Sequence, residues 1–265
     1  MLWKIDAIRP GSLRRAGHEP PEPGAALPLS ILALMVYLLP AVLALTILAS
    51  LGVDLTGDRS LRQFGMVSLA TYGLGVVACV AAGWWAVRAG WLRAASTRPA
   101  LRDLWVGPVA IALAWPLLWL AGVAAHTAAS LAGHEPSGSL QHGTLDLLTA
   151  GDRASPWWWA VLAGAVLGAP IVEEVVFRGL LQPALRAVLG PWSAVLISAG
   201  LFTLLHVPRG AESSGATWLA IPTLAVLAIA LGIARERTGR LGVPIAMHVA
   251  FNAANVGLAF AVSQG

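Results

Sequence analysis

Runs of about 20 apolar residues recur along this chain, each long enough to cross the hydrocarbon core of a bilayer as a helix. Backbone in lipid must satisfy its own hydrogen bonds, so runs of this length specify helices rather than open strands. The spans are expected near residues 28–51, 66–87, 104–131, 157–181, 191–207, 217–234 and 241–262. That gives an all-α, polytopic transmembrane bundle of about seven helices, with six to eight allowed by the uncertain edges. Composition agrees: 57% of the 265 residues are hydrophobic and 11% charged, against roughly 25% charged in a soluble domain. The 104–131 run is long enough to tilt or to break near Pro116.

Cations fall in alternate connections. Lys4, Arg9, Arg14 and Arg15 precede the first span, while Arg88, Arg93, Arg98 and Arg102 lie between the second and third. Arg186 follows the fourth span, and Arg235, Arg237 and Arg240 precede the last. The remaining connections, 52–65, 132–156 and 208–216, carry Asp54, Asp58, Glu135, Asp146 and Glu212. Positive charge marks the cytoplasmic side, so the amino terminus is expected inside and the carboxyl terminus outside. Residues 1–27, basic and then rich in Pro and Gly, read as a flexible cytoplasmic tail ahead of a single transmembrane domain, 28–265. The net charge of +4 comes from these connections, which makes nucleic acid an unattractive partner. The single cysteine, Cys79, lies in an apolar run and reads as packing. Trp157, Trp158 and Trp159 open the fourth span as an interfacial belt would.

Within that span the stretch IVEEVVFRGLLQ places Glu173, Glu174 and Arg178 among apolar neighbours. Ionised groups at such depth cost at least about 2.5–3.5 kcal/mol each, so they face a cavity and carry function. Glu174 and Arg178 stand four residues apart and can pair, which leaves Glu173 for water or substrate. Two later spans add Phe202 with His206 and His248 with Asn252, each pair again at i, i+4. Together these supply an acid or base, imidazoles and an amide donor, the parts that activate water and stabilise an oxyanion. A structural ion pair, a proton or ion relay in a transporter, and a non-catalytic scaffold are the competing readings.

The three ordered motifs, EExxxR, FxxxH and HxxxN, resemble those of the CPBP (Abi) family, which includes the type II CAAX prenyl endopeptidases. The FRG at 177–179 is similar to its common bacterial form, and the resemblance spans roughly residues 157–255. It implies an intramembrane endopeptidase acting on a membrane-associated peptide or protein. Glu173 would be the general base working with His206; His248 and Asn252 would bind the oxyanion, while Glu174 and Arg178 organise the site. Proteins of this family were once described as metalloproteases, and Glu173, His206 and His248 would be the ligands of a zinc-dependent version. HExxH is absent and Asn is a poor zinc ligand but a good oxyanion donor, so a metal-free reaction without cofactor is favoured. Expected surroundings are the lipid bilayer, as an integral protein of a bacterial cytoplasmic membrane. One geometric conflict stands: a straight helix from Pro191 puts His206 nearer the outer side, whereas Glu173 and His248 fall near the inner side.

Overall fold

The computed structural model describes residues 21–55, 60–97, 99–133, 143–207 and 218–263. Most of the expected tail lies outside these residues, as do Arg98, Asp58, Glu135 and Glu212. Among the described residues there are helices and turns but no strand. Eight helices are used below: α1 Ala26–Ser50, α2 Leu61–Arg88, α3 Asp103–Leu131, α4 Gly143–Ala150, α5 Pro156–Leu189, α6 Pro191–Leu205, α7 Ile221–Thr238 and α8 Gly242–Ser263. Five of them, α1, α2, α3, α5 and α8, are long and apolar enough to span a membrane, α1 together with the short 3₁₀ turn Pro23–Ala25 before it. With α6 and α7 they occupy the seven expected positions. The chain is an integral membrane protein of helices.

Helix starts follow the local sequence. Ser60 caps α2 by accepting from Gln63 N while Gln63 Oε1 accepts from Ser60 N, a reciprocal capping box. Pro156 and Pro191 open α5 and α6, where a missing N–H costs nothing. α3 runs unbroken through Pro108 and Pro116, so no break occurs at Pro116; its 29 residues exceed the bilayer core and imply tilt.

Without a hydrophobic drive between helices in lipid, close approach depends on small residues. A Cβ on Gly107 of α3 would stand 2.5 Å from Ala246 Cβ of α8, and one on Gly75 of α2 would stand 2.8 Å from Val172 of α5. Gly168 of α5 admits the ring of Tyr72 on α2 in the same way. Cys79 sits in the core cluster between α1, α2 and α5 as packing.

Two expectations about the polar ends need correction. The connection expected at 235–240 is mostly helix: α7 continues to Thr238, so Arg235 and Arg237 are helical and Arg235 and Glu236 are buried. Arg235, Glu236 and Asp103 thus join Glu174 and Arg178 as buried charges. Arg240 forks onto Asp103 through contacts of 2.8 and 2.9 Å, hydrogen bonds that raise its guanidinium above the ordinary value. The tryptophan run also divides. Trp159 is exposed, Trp157 packs on Gly65, and Trp158 is buried with its indole N–H on Leu148 O. A buried indole needs that acceptor, and α4 supplies it.

Candidate active site

α5 carries the first motif and is not a uniform helix. Two π-helical stretches, Gly164–Gly168 and Val175–Leu181, flank the α-helical turn Ala169–Glu174. Widened turns leave carbonyls without their usual partners, and such bulges are frequent at functional sites. Here three side chains from three other helices take up carbonyls in those stretches. Asn252 Nδ2 of α8 donates to Ala165 O at 2.8 Å, Ser198 Oγ of α6 to Phe177 O at 3.2 Å, and Arg235 Nε of α7 to Arg178 O at 2.9 Å. The irregular backbone is thus tolerated because neighbouring helices satisfy it.

The conflict over His206 disappears once the hairpin between α5 and α6 is placed. α5 does not stop at 181; it continues to Leu189, and Gly190 makes the turn at φ +81°, a conformation that favours glycine. Glu173 lies seventeen residues before Gly190 and His206 sixteen after it. On an α-helical rise these are ~26 and ~24 Å from the turn, hence one level. Phe177 and Phe202, whose ring centroids are 5.3 Å apart, sit thirteen before and twelve after the same glycine. Glu173 accordingly lies at the middle of α5 rather than near its inner end.

The two carboxylates divide as the sequence suggested. Glu174 is fully buried and its Oε1 accepts from Arg178 Nη1 at 2.9 Å and from His248 Nδ1 at 2.9 Å. Arg178, also fully buried, gives Nη2 to Ala228 O at 2.9 Å and lies 4.8 Å from the centroid of Phe202. Glu173 keeps 18% of its side chain exposed. Its Oε1 is 3.9 Å from His206 Nε2 and its Oε2 is 3.9 Å from His248 Nε2. Those separations exceed a hydrogen bond and suit a water touching both sides.

Both imidazoles are oriented through Nδ1. His206 Nδ1 is 2.8 Å from Phe202 O, and a carbonyl only accepts, so the proton is on Nδ1. His248 Nδ1 likewise donates to Glu174. Each ring therefore turns Nε2 toward Glu173. Phe202 is the hub that fixes them: it stacks on His206 at 4.3 Å, meets His248 edge-on at 5.9 Å, and is fully buried.

Glu173, His206, His248 and Asn252 line one cavity of ≈ 350 Å³, with Tyr72, Thr223 and Asn255 among its other polar walls. All six residues singled out from the sequence meet at or directly behind this cavity. Asn252 arrives with one amide hydrogen already on Ala165 O, leaving one donor and its carbonyl. Among the described residues, no group of three or more His, Cys, Asp and Glu converges as metal ligands. That includes Glu173, His206 and His248, whose separations are given above.

Sequence reading missed Tyr72 and the continuation of the Glu174–Arg178 pair through Gln182 and Arg186. Glu174, Arg178, Gln182 and Arg186 follow one another at every fourth position on α5, and the last three meet α7 at Ala228, Gly232 and Glu236, again four apart. That period was visible in the sequence. Tyr72 was not, because a single tyrosine in an apolar run has no distinguishing neighbours.

Fold and site together define a polytopic helical membrane protein with a glutamate and two histidines facing one another inside its spans. Residues 155–254 match the family described as Rce1-like, type II CAAX prenyl endopeptidase Rce1-like. This is the family that the three motifs resemble, over nearly the same stretch, and it supports a CAAX-type intramembrane protease in general terms. No curated protein and no solved structure matches the chain significantly.

Proposed function

We propose that this protein is a bacterial intramembrane endopeptidase of the glutamate-dependent CPBP type, cleaving a membrane-associated peptide or protein with its amino terminus in the cytoplasm. The observation that carries the reading is the position of Glu173, mostly buried but open to a cavity and 3.9 Å from the Nε2 atoms of both His206 and His248. Water held there loses a proton to Glu173, and the hydroxide adds to the scissile carbonyl carbon. The C–N bond then breaks as the amine leaves with a proton returned by Glu173, with His206 as its partner. His248 and the remaining amide hydrogen of Asn252 face the developing oxyanion. For His248 to donate from Nε2 while Nδ1–H is held by Glu174, the ring must carry both protons, and Glu174 supplies the counter-charge. Arg178 holds Glu174 in place through its 2.9 Å contact.

No metal or cofactor is assigned to the reaction: Asn252 is a donor rather than a zinc ligand, and the orientation of both rings is accounted for by Phe202 and Glu174. Activity that disappears on chelation and returns with stoichiometric zinc would reverse this. The decisive experiment compares membrane peptides from cells carrying the native protein and Glu173→Gln. Peptides that change only with the native protein, while the variant stays folded, identify the substrate. Unchanged peptides and an unchanged biological effect in the variant would favour a non-catalytic scaffold.

A further inference from the structure

Arg235 is a buried cation that the reaction does not use. It is 5% exposed, its Nε donates to Arg178 O and its Nη1 reaches Ser96 O at 3.5 Å. Among the described residues no carboxylate lies within ion-pair distance of it. The adjacent Glu236 is already engaged, by Arg186 at 2.9 Å and by Gln182 Nε2 at 2.9 Å. A desolvated charge is costly unless a counter-charge meets it. Arg235 borders a second cavity, of ≈ 180 Å³, whose walls include Trp91, Arg93, Ser96, Arg186 and Glu236. It lies at the opposite end of the α5–α7 polar ladder from Glu174.

We infer that this cavity binds the phosphodiester of a membrane lipid headgroup, with Arg235 as the buried counter-ion and Arg93 closing over it from the exposed rim. Guanidinium groups match phosphate oxygens in a fork, and a charge-assisted bond inside a pocket is stronger than one in water. The volume is that of about six waters, room for a phosphodiester and the small alcohol it carries. The pocket's place favours lipid over a free anion. Exposed Trp84 and Trp85 on the last turns of α2, with Arg88 over the Trp84 ring at 5.1 Å, mark the bilayer interface beside it. Basic pockets between spanning helices on that side take anionic headgroups. Two carboxylates border the cavity: Glu236, paired as above, and Glu22, exposed at the rim where water and salt screen it.

The test reads bound lipid and stability, not cleavage, so its failure is separate from any failure of the peptidase reading. Detergent-purified protein is titrated with dihexanoyl phosphatidylglycerol, and thermal unfolding and native mass spectra are recorded. A rise in Tm with one retained lipid is expected, and Arg93→Gln should weaken the apparent affinity about tenfold, the loss of one charge-assisted bond. Arg235→Met should abolish the lipid-dependent rise; should that variant not fold, Arg93→Gln on its own decides. A lipid response unchanged in Arg93→Gln overturns the assignment. So does an equal rise with inorganic phosphate, which would make the ligand a free anion, or with dihexanoylglycerol, which lacks the phosphate.

Discussion

His248 donates from Nδ1 to the Oε1 of Glu174 at 2.9 Å, on the same oxygen that Arg178 reaches at 2.9 Å. One buried carboxylate oxygen thus joins α5 to α8 and fixes which nitrogen of His248 faces the cavity. The buried acid and the cavity-facing acid are neighbours in sequence with different work, and their substitutions should separate.

Glu174→Ala leaves Arg178 as an uncompensated buried charge and His248 without its orienting partner. Removing one member of a buried pair costs about 3–5 kcal/mol. A large fall in Tm in detergent is expected, whereas Glu173→Gln should leave Tm nearly unchanged and remove cleavage. Equal effects of the two changes on Tm would contradict this division.

Phe202→Leu keeps most of the volume but loses the stack on His206 and the face presented to Arg178. Aromatic pairs of this kind contribute about 0.5–1.5 kcal/mol beyond burial, so the Tm change should be modest. The loss of cleavage should be disproportionately large, because only the backbone carbonyl of residue 202 then remains to hold the His206 ring toward Glu173. A variant with the native rate would show that the ring orientation does not depend on Phe202.

Asn252→Ala removes a donor from both the cavity and Ala165 O. Loss of one oxyanion donor costs about 100- to 1000-fold in kcat, and a fall of that size with KM little changed is the expected result. A drop in Tm with kcat preserved would reduce Asn252 to a prop for the π-helical turn.

Gly107→Ala should be destabilising although it is remote from the chemistry. The new Cβ would stand 2.5 Å from Ala246 and 2.7 Å from Met247 N, the residue before His248. Overpacking of this kind costs about 1–3 kcal/mol, and pushing α8 from α3 should also lower cleavage. Gly73→Ala is the matched control: nothing lies within 4 Å of its Cβ position, so helix propensity alone should make it neutral or slightly stabilising. Similar unfolding temperatures for the two variants would remove the role given to the α3–α8 contact.

The sequence by itself determined the all-helical membrane architecture and the pairing of Glu174 with Arg178. Length of apolar run and a spacing of four residues are local properties, and the bilayer and the helix convert them directly into structure. It also picked out Glu173, His206, His248 and Asn252, because polar groups stand out against an apolar background. What only the tertiary structure decided was depth and orientation. Where α5 ends, and so whether His206 reaches Glu173, depended on a continuation to Leu189 whose charged and polar side chains are masked by contacts with α7. The burial of Arg235 and Glu236 had the same origin: a sequence records their charge, but only the neighbouring helix determines whether water remains beside it. Tyr72 and the two π-helical turns were invisible for a related reason, since each is defined by what other helices bring to it.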